Sequence, residues 1–161
     1  MSATDELLQN AERYRERFDG ELPMPPARNV AVVACMDARL NVYGLLGLSE
    51  GDAHVIRNAG GVVSDDVIRS LAISQRLLGT TEVVLIHHTD CGMLSFTDDE
   101  VKAQIAKDTG IRPPFALEAF DDVEDDVRQS IARLEASPFV DSSAVRGFVF
   151  DVATGDLRPV E

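Results

Sequence analysis

The spacing of apolar positions changes several times along this chain, and each change marks an element. Over residues 4–18 the apolar positions are Leu7, Ala11, Tyr14 and Phe18, separated by four, three and four, which predicts an amphipathic helix. Gly20 and the prolines at 23, 25 and 26 then end it. This helix precedes the first strand, so its stripe is expected to cover another part of the domain or a second subunit. Val30 to Ala34 is a continuous apolar run rich in β-branched residues, as in a strand buried on both faces. A second run, Ala53 to Ile56, leads into Arg57-Asn58-Ala59-Gly60-Gly61, read as a turn or loop. Ser64 can cap a helix whose first turn holds Asp65 and Asp66, favourable at the positive end of the helix dipole. Val67, Ile68, Leu71, Ile73, Leu77 and Leu78 leave so little of that helix polar that packing on more than one side is expected, and Gly79 ends it.

Glu82 to His87 reads as a third strand. Residues 98–126 carry ten acidic side chains against three basic ones and include Pro113-Pro114, which suggests a solvated peripheral excursion. Val123, Val127, Ile131 and Leu134 return to helical spacing, and Phe148 to Phe150 reads as a fourth strand. Leu157 to Val160 supports at most a short edge strand, because Pro159 has no N–H for a central ladder. Strands alternating with helices imply an α/β fold with a largely parallel sheet. At 161 residues a single domain is expected.

Composition narrows the function. With 15 basic and 28 acidic residues the net charge is −13, which repels nucleic acid and anionic membranes. No apolar run approaches the roughly 20 residues needed to span a bilayer. The acidic start, Met1 to Glu6, does not read as a signal peptide, so a cytoplasmic location is expected. Lys102 and Lys107 are the only lysines. Such a surface suits a salt-rich cytosol, but a high-GC genome gives the same bias, and composition leaves both open.

Two short clusters carry the chemistry: Cys35-Met36-Asp37-Ala38-Arg39 and His88-Thr89-Asp90-Cys91. They hold the only two cysteines, which in a cytosolic chain are seldom a disulfide. Two thiolates and an imidazole, with a fourth position open, form the pattern of a catalytic zinc site. Such a Zn2+ would lower the pKa of its water toward about 7. Both clusters directly follow apolar strands, where an open parallel sheet places its sites. In extended geometry Cys35, Asp37 and Arg39 would point to one side. Asp37 is then either a fourth ligand in a closed state or the partner of Arg39, and bidentate pairing with the guanidinium favours the second.

His88 is the expected ligand because His-x-x-Cys places it with Cys91, whereas His87 and His54 read better as packed or hydrogen-bonded histidines. Asp90 fits either an orienting role or a plain turn. Gly60 and Gly61 read first as a tight turn, with backbone approach to a ligand as the alternative. Arg57 reads as a structural ion pair more readily than as a substrate clamp.

Taken together, Ala34 to Arg39, Arg57 to Gly61 and His88 to Gly92 resemble the β-class carbonic anhydrases, in motif order and separation, from about residue 28 onward, and most closely the compact prokaryotic branch. The resemblance implies one domain over residues 1–161, with a mostly parallel sheet, an antiparallel edge strand and flanking helices. It implies zinc on Cys35, His88 and Cys91, catalytic Asp37 and Arg39, and reversible hydration of carbon dioxide to bicarbonate and a proton. It further implies a homodimer or homotetramer in which residues 4–18 reach onto a partner subunit. One departure stands out: His87 occupies a position that is glycine in many relatives, which would alter packing behind the site. Two rivals remain. One is hydrolysis of carbonyl sulfide or carbon disulfide on the same zinc; the other is a non-catalytic zinc module with Asp37 locked on the metal, which would have no use for Arg39.

Overall fold

A computed structural model describes residues 2–161. Its centre is a five-stranded sheet in the order β2-β1-β3-β4-β5. The strands are β1 (Val30–Cys35), β2 (Ala53–Asn58), β3 (Glu82–His88), β4 (Val145–Phe150) and β5 (Leu157–Val160). β1 pairs in parallel with both β2 and β3, β3 pairs in parallel with β4, and β5 closes the far edge antiparallel to β4. The helices are α1 (Ala3–Arg15), α2 (Val42–Leu46), α3 (Asp65–Leu78), α4 (Asp98–Thr109) and α5 (Val123–Ala136).

β1 is buried from Ala31 to Cys35 because both of its faces are covered. Ala31 and Val33 join Val83, Leu85, Val67, Leu71 and Leu134 in one cluster under α3 and α5. Val32 and Ala34 face the other way, with Cys35, Leu40, Val42, Ile86, Cys91 and Met93. Each fully buried Val or Leu contributes about 1.5–3 kcal/mol, so the continuous run at Val30 to Ala34 is the structural spine. β2 is less covered, as befits an edge. Pro159 sits on the edge strand β5, where its missing N–H costs no ladder bond.

Several expectations need correcting. The first helix stops at Arg15, and the chain continues in a turn whose amides at Arg17 and Phe18 bond back to Tyr14 and Arg15. Phe18 therefore lies beyond the helix, although its ring still meets that of Tyr14. α3 begins at Ser64, whose hydroxyl accepts the Val67 N–H, and ends at Gly79 with φ +76°. It buries Val67, Leu71 and Ser74 only, leaving Leu77 and Ile73 exposed, so it packs on one side. Residues 98–126 are more than a solvated peripheral excursion. Thr97 and Glu100 form a reciprocal capping box that starts α4, the Asp98 carboxylate accepts the amides of Leu117, Glu118 and Ala119, and Asp126 is buried.

α5 lies directly on β4. A Cβ added at Gly147 would run into Val127 and approach Ile131 Cδ1 to 3.1 Å. Gly147→Ala is expected to destabilise the fold by about 1–3 kcal/mol through overpacking. Urea unfolding would show it as a lower midpoint at unchanged slope.

Candidate metal centre

Strand order explains how residues 56 apart in sequence (91 − 35) come together. The chain leaves β1 for β2 on one side and later returns to β3 on the other. The crevice at such a switch point lies beyond the carboxyl ends of the two strands. Cys35 ends β1, His88 ends β3, and Cys91 follows the two-residue turn of Thr89 and Asp90. The end of β3 is tied down where Thr89 donates its amide to Phe150 and its hydroxyl accepts the Val152 N–H.

The ligand atoms of Cys35, His88 and Cys91 all lie within 4.8 Å of one another, and all three residues are buried. Both cysteines are free thiols. His88 Nδ1 lies 2.8 Å from the Thr89 carbonyl. A carbonyl only accepts, so Nδ1 carries the proton and neutral His88 keeps its lone pair on Nε2. That Nε2 is buried with no partner among the described residues. A buried acceptor without a donor is costly, and two thiols beside it complete a donor set suited to zinc. The residues fit the ion.

The two sulfurs act on each other. Cys35 is held well below the ordinary thiol range, chiefly by the S–H of Cys91 and further by His88 and the amides of Asp37 and Gly60, against the opposing effect of burial. Cys91 is pushed up in turn, first by the Cys35 thiolate and then by burial. Burial pushes His88 down, but the Cys35 thiolate, the Thr89 carbonyl and Asp37 outweigh it and hold it above its usual value.

Asp37 and Arg39 do not extend from β1. The strand ends at Cys35, and the Leu40 amide bonds back to the Asp37 carbonyl in a turn. Within it Arg39 curls onto its neighbour. Its Nε donates to Asp37 Oδ1 at 3.0 Å, its Nη2 to Oδ2 at 2.9 Å, and its amide to Oδ1 at 2.8 Å. The guanidinium and the amide hold the Asp37 carboxyl far below the usual range. Asp37 Oδ2 is also 3.7 Å from His88 Nε2, beside the ligand atoms. Asp90 both orients and turns: it adopts φ +52°, its Oδ2 accepts Arg39 Nη1 at 2.7 Å and its carbonyl accepts Nη2 at 2.9 Å. Arg39 thus ties the two motifs together.

The remaining candidates sort themselves by contact. His87 is fully buried and donates from Nε2 to Asp126 Oδ2 at 2.6 Å, with Phe120 against its ring, so it is a hydrogen-bonded core residue pointing away from the ligands. His54 bonds Ser74 at 2.7 Å and is equally structural. Gly60, at φ +84°, brings its amide to the Cys35 sulfur, and a Cβ there would stand 3.1 Å from both Met93 and Phe120; the backbone does approach a ligand, which a tight-turn reading undersells. Arg57 does not form the expected ion pair, since it donates to the Cys35 and Asp37 carbonyls instead. Sequence reasoning missed Asp126 and Phe120, which lie in a stretch read as solvated.

The carbonic anhydrase family profile matches residues 30–157. Beta-carbonic anhydrase 1 of Mycobacterium tuberculosis is 62% identical over 161 residues, covering 99% of each chain. Carbon disulfide hydrolase of Acidithiobacillus thiooxidans is 37% identical over 183 aligned residues, covering 99% of this chain and 91% of its own. Among solved structures, carbonic anhydrase from Streptococcus mutans superposes with a TM-score of 0.93 at 43% identity, over 100% of this chain and 99% of that one.

Elemental analysis of the purified chain is expected to find about one zinc per polypeptide, and Cys91→Ser to lose most of it. Chelation should lower the Tm of the unsubstituted protein, because the ion binds the folded state alone. Full zinc retention by Cys91→Ser would remove that sulfur from the ligand set.

Proposed function

The chain belongs to the β-carbonic anhydrase family, and on that premise we propose that it catalyses the reversible hydration of carbon dioxide to bicarbonate and a proton. The observation that carries the reading is the buried cluster of Cys35, His88 and Cys91, with Asp37 drawn beside it onto Arg39. Cys35, His88 and Cys91 would hold the zinc, which supplies Lewis acidity that generates a nucleophile from water near neutral pH.

The chain's own residues do the rest. The Thr89 carbonyl fixes the His88 tautomer, so Nε2 faces the ligand cluster. Arg39 keeps Asp37 ionised and therefore acceptor-only. From its place 3.7 Å from His88 Nε2 the carboxylate stands as a fixed acceptor beside the ligand cluster, able to take a hydrogen bond from water there and hold its orientation. Holding one orientation in advance lowers the barrier without new covalent chemistry. Asp90 keeps the Arg39 plane in register by accepting from its far side.

A second reading is favoured by the likeness to carbon disulfide hydrolase: the same centre would hydrolyse carbon disulfide or carbonyl sulfide. Indicator-coupled stopped-flow on zinc-loaded protein decides between them. Rapid carbon dioxide hydration with little hydrogen sulfide release supports the first, and dominant sulfide release supports the second.

The domain is proposed to extend over residues 1–161 and to work as a homodimer, or as a tetramer of such dimers. α1 supports this: none of its residues is buried, and Leu7, Leu8, Tyr14 and Phe18 are exposed apolar groups. A 13-residue helix is marginal in water unless its face is covered, and Tyr14 ties this one to its own domain through Glu50. Free thiols as ligands suit a reducing compartment, which supports a cytoplasmic location. Among the described residues no helix is long and apolar enough to cross a membrane.

Two outcomes follow. Asp37→Asn should keep its zinc while kcat falls by about 10²–10⁴-fold; unchanged turnover would deny the carboxylate its role. Leu7→Glu combined with Leu8→Glu should reduce the mass measured by light scattering toward that of a monomer, and an unaltered mass would place the subunit contact elsewhere.

A further inference from the structure

Arg57 stands near the end of edge strand β2 and reaches across the end of β1. Its Nε donates to the Cys35 carbonyl at 2.9 Å and its Nη2 to the Asp37 carbonyl at 2.7 Å. No carboxylate among the described residues pairs with it. Beside it the Met36 amide donates to the Asn58 carbonyl at 2.7 Å, so residues 35–37 are fixed to β2 at three successive main-chain points. A carbonyl held in this way fixes the plane of its peptide, and the direction of the adjoining side chain follows. A planar fork serves two carbonyls two residues apart better than an ammonium, which is a point charge without that fixed geometry.

We propose that Arg57 is a positioning residue of the reaction, its guanidinium clamping the Cys35 and Asp37 carbonyls so that the Asp37 carboxylate stays on Arg39 and off the metal ligands. The inference rests on the role given to Asp37 above. The distance it protects is small, since Asp37 Oδ2 is already 3.7 Å from His88 Nε2. A modest rotation of the peptide after Asp37 would bring the carboxylate among the ligand atoms.

The test places Arg57→Gln and Arg57→Lys in the full chain, each with Asp37 intact and with Asp37→Asn, loaded with zinc for kinetics or with cobalt(II) for absorption. With Asp37 intact, Arg57→Gln should retain its metal and lose about ten- to hundredfold in kcat, with KM affected less and Arg57→Lys recovering part of the loss. In the Asp37→Asn background the same substitution should cost no more than about twofold, because residues acting through one another are not additive. The cobalt spectrum should change on Arg57→Gln, and Asp37→Asn should abolish that change. Equal losses in both backgrounds, or losses that track metal content, would overturn the proposal. An Asp37-dependent spectral change in a protein that does not hydrate carbon dioxide would support the positioning role while sinking the catalytic reading.

Discussion

A single guanidinium, that of Arg39, joins the two sequence motifs on which the centre is built. Four of its N–H bonds are engaged, two with the Asp37 carboxylate, one with the Asp90 carboxylate and one with the Asp90 carbonyl. Asp37 belongs to the turn after β1 and Asp90 to the turn after β3, so the contact spans the crevice between the strands. Half-exposed ion pairs usually contribute little to stability, and stability is not what this one supplies. It determines where a carboxylate stands relative to three buried ligand atoms. Without it the nearest acid would be free to compete for a metal held there; with it both carboxylate oxygens are committed to Arg39.

Behind that contact the main chain is arranged to favour thiolate and to hold direction. Amides of Asp37 and Gly60 face the Cys35 sulfur, and the Met93 amide faces that of Cys91. Donors of this kind favour the charged form and also fix where the sulfur points. Gly60 can supply its amide because it adopts φ +84°, a conformation that favours glycine, and a Cβ there would crowd Met93 and Phe120 at 3.1 Å. The buried bond between His87 and Asp126 anchors the end of β3 to α5 from the opposite face. A buried imidazole–carboxylate pair is costly unless its geometry is met, which makes it a source of registration more than of net stability. His87 is therefore the structural counterpart of His88, turned to the other side by the alternation of a strand.

Local signals carried the elements whose neighbours do not matter. The run at Val30 to Ala34 is apolar throughout, so it is a strand covered on both faces whichever helices cover it. Ser64 and Gly79 bound α3 because a hydroxyl at one end and a left-handed glycine at the other satisfy the helix's own unpaired groups. The capping box at Thr97 and Glu100 is just as local, a hydroxyl three residues before a carboxylate, although the acidic stretch that follows it reads as solvated. The candidate ligand set, Cys35, His88 and Cys91, could be read from residue type and spacing, because two thiols and an imidazole together suit zinc.

Tertiary structure decided everything that depends on who stands opposite. That Arg57 takes two carbonyls and no carboxylate follows from β2 lying beside β1, which no spacing within the Arg57 motif encodes. Asp126 looked solvated within its acidic stretch, yet α5 lays it on His87 at 2.6 Å. Leu77 looked buried by its apolarity and remains exposed because only one side of α3 meets the sheet. Residue chemistry is a local property and is written in the chain itself, whereas partnership is set by strand order and helix placement. The sequence thus determined which atoms could bind a metal, and the fold determined that they meet and which way the neighbouring acid faces.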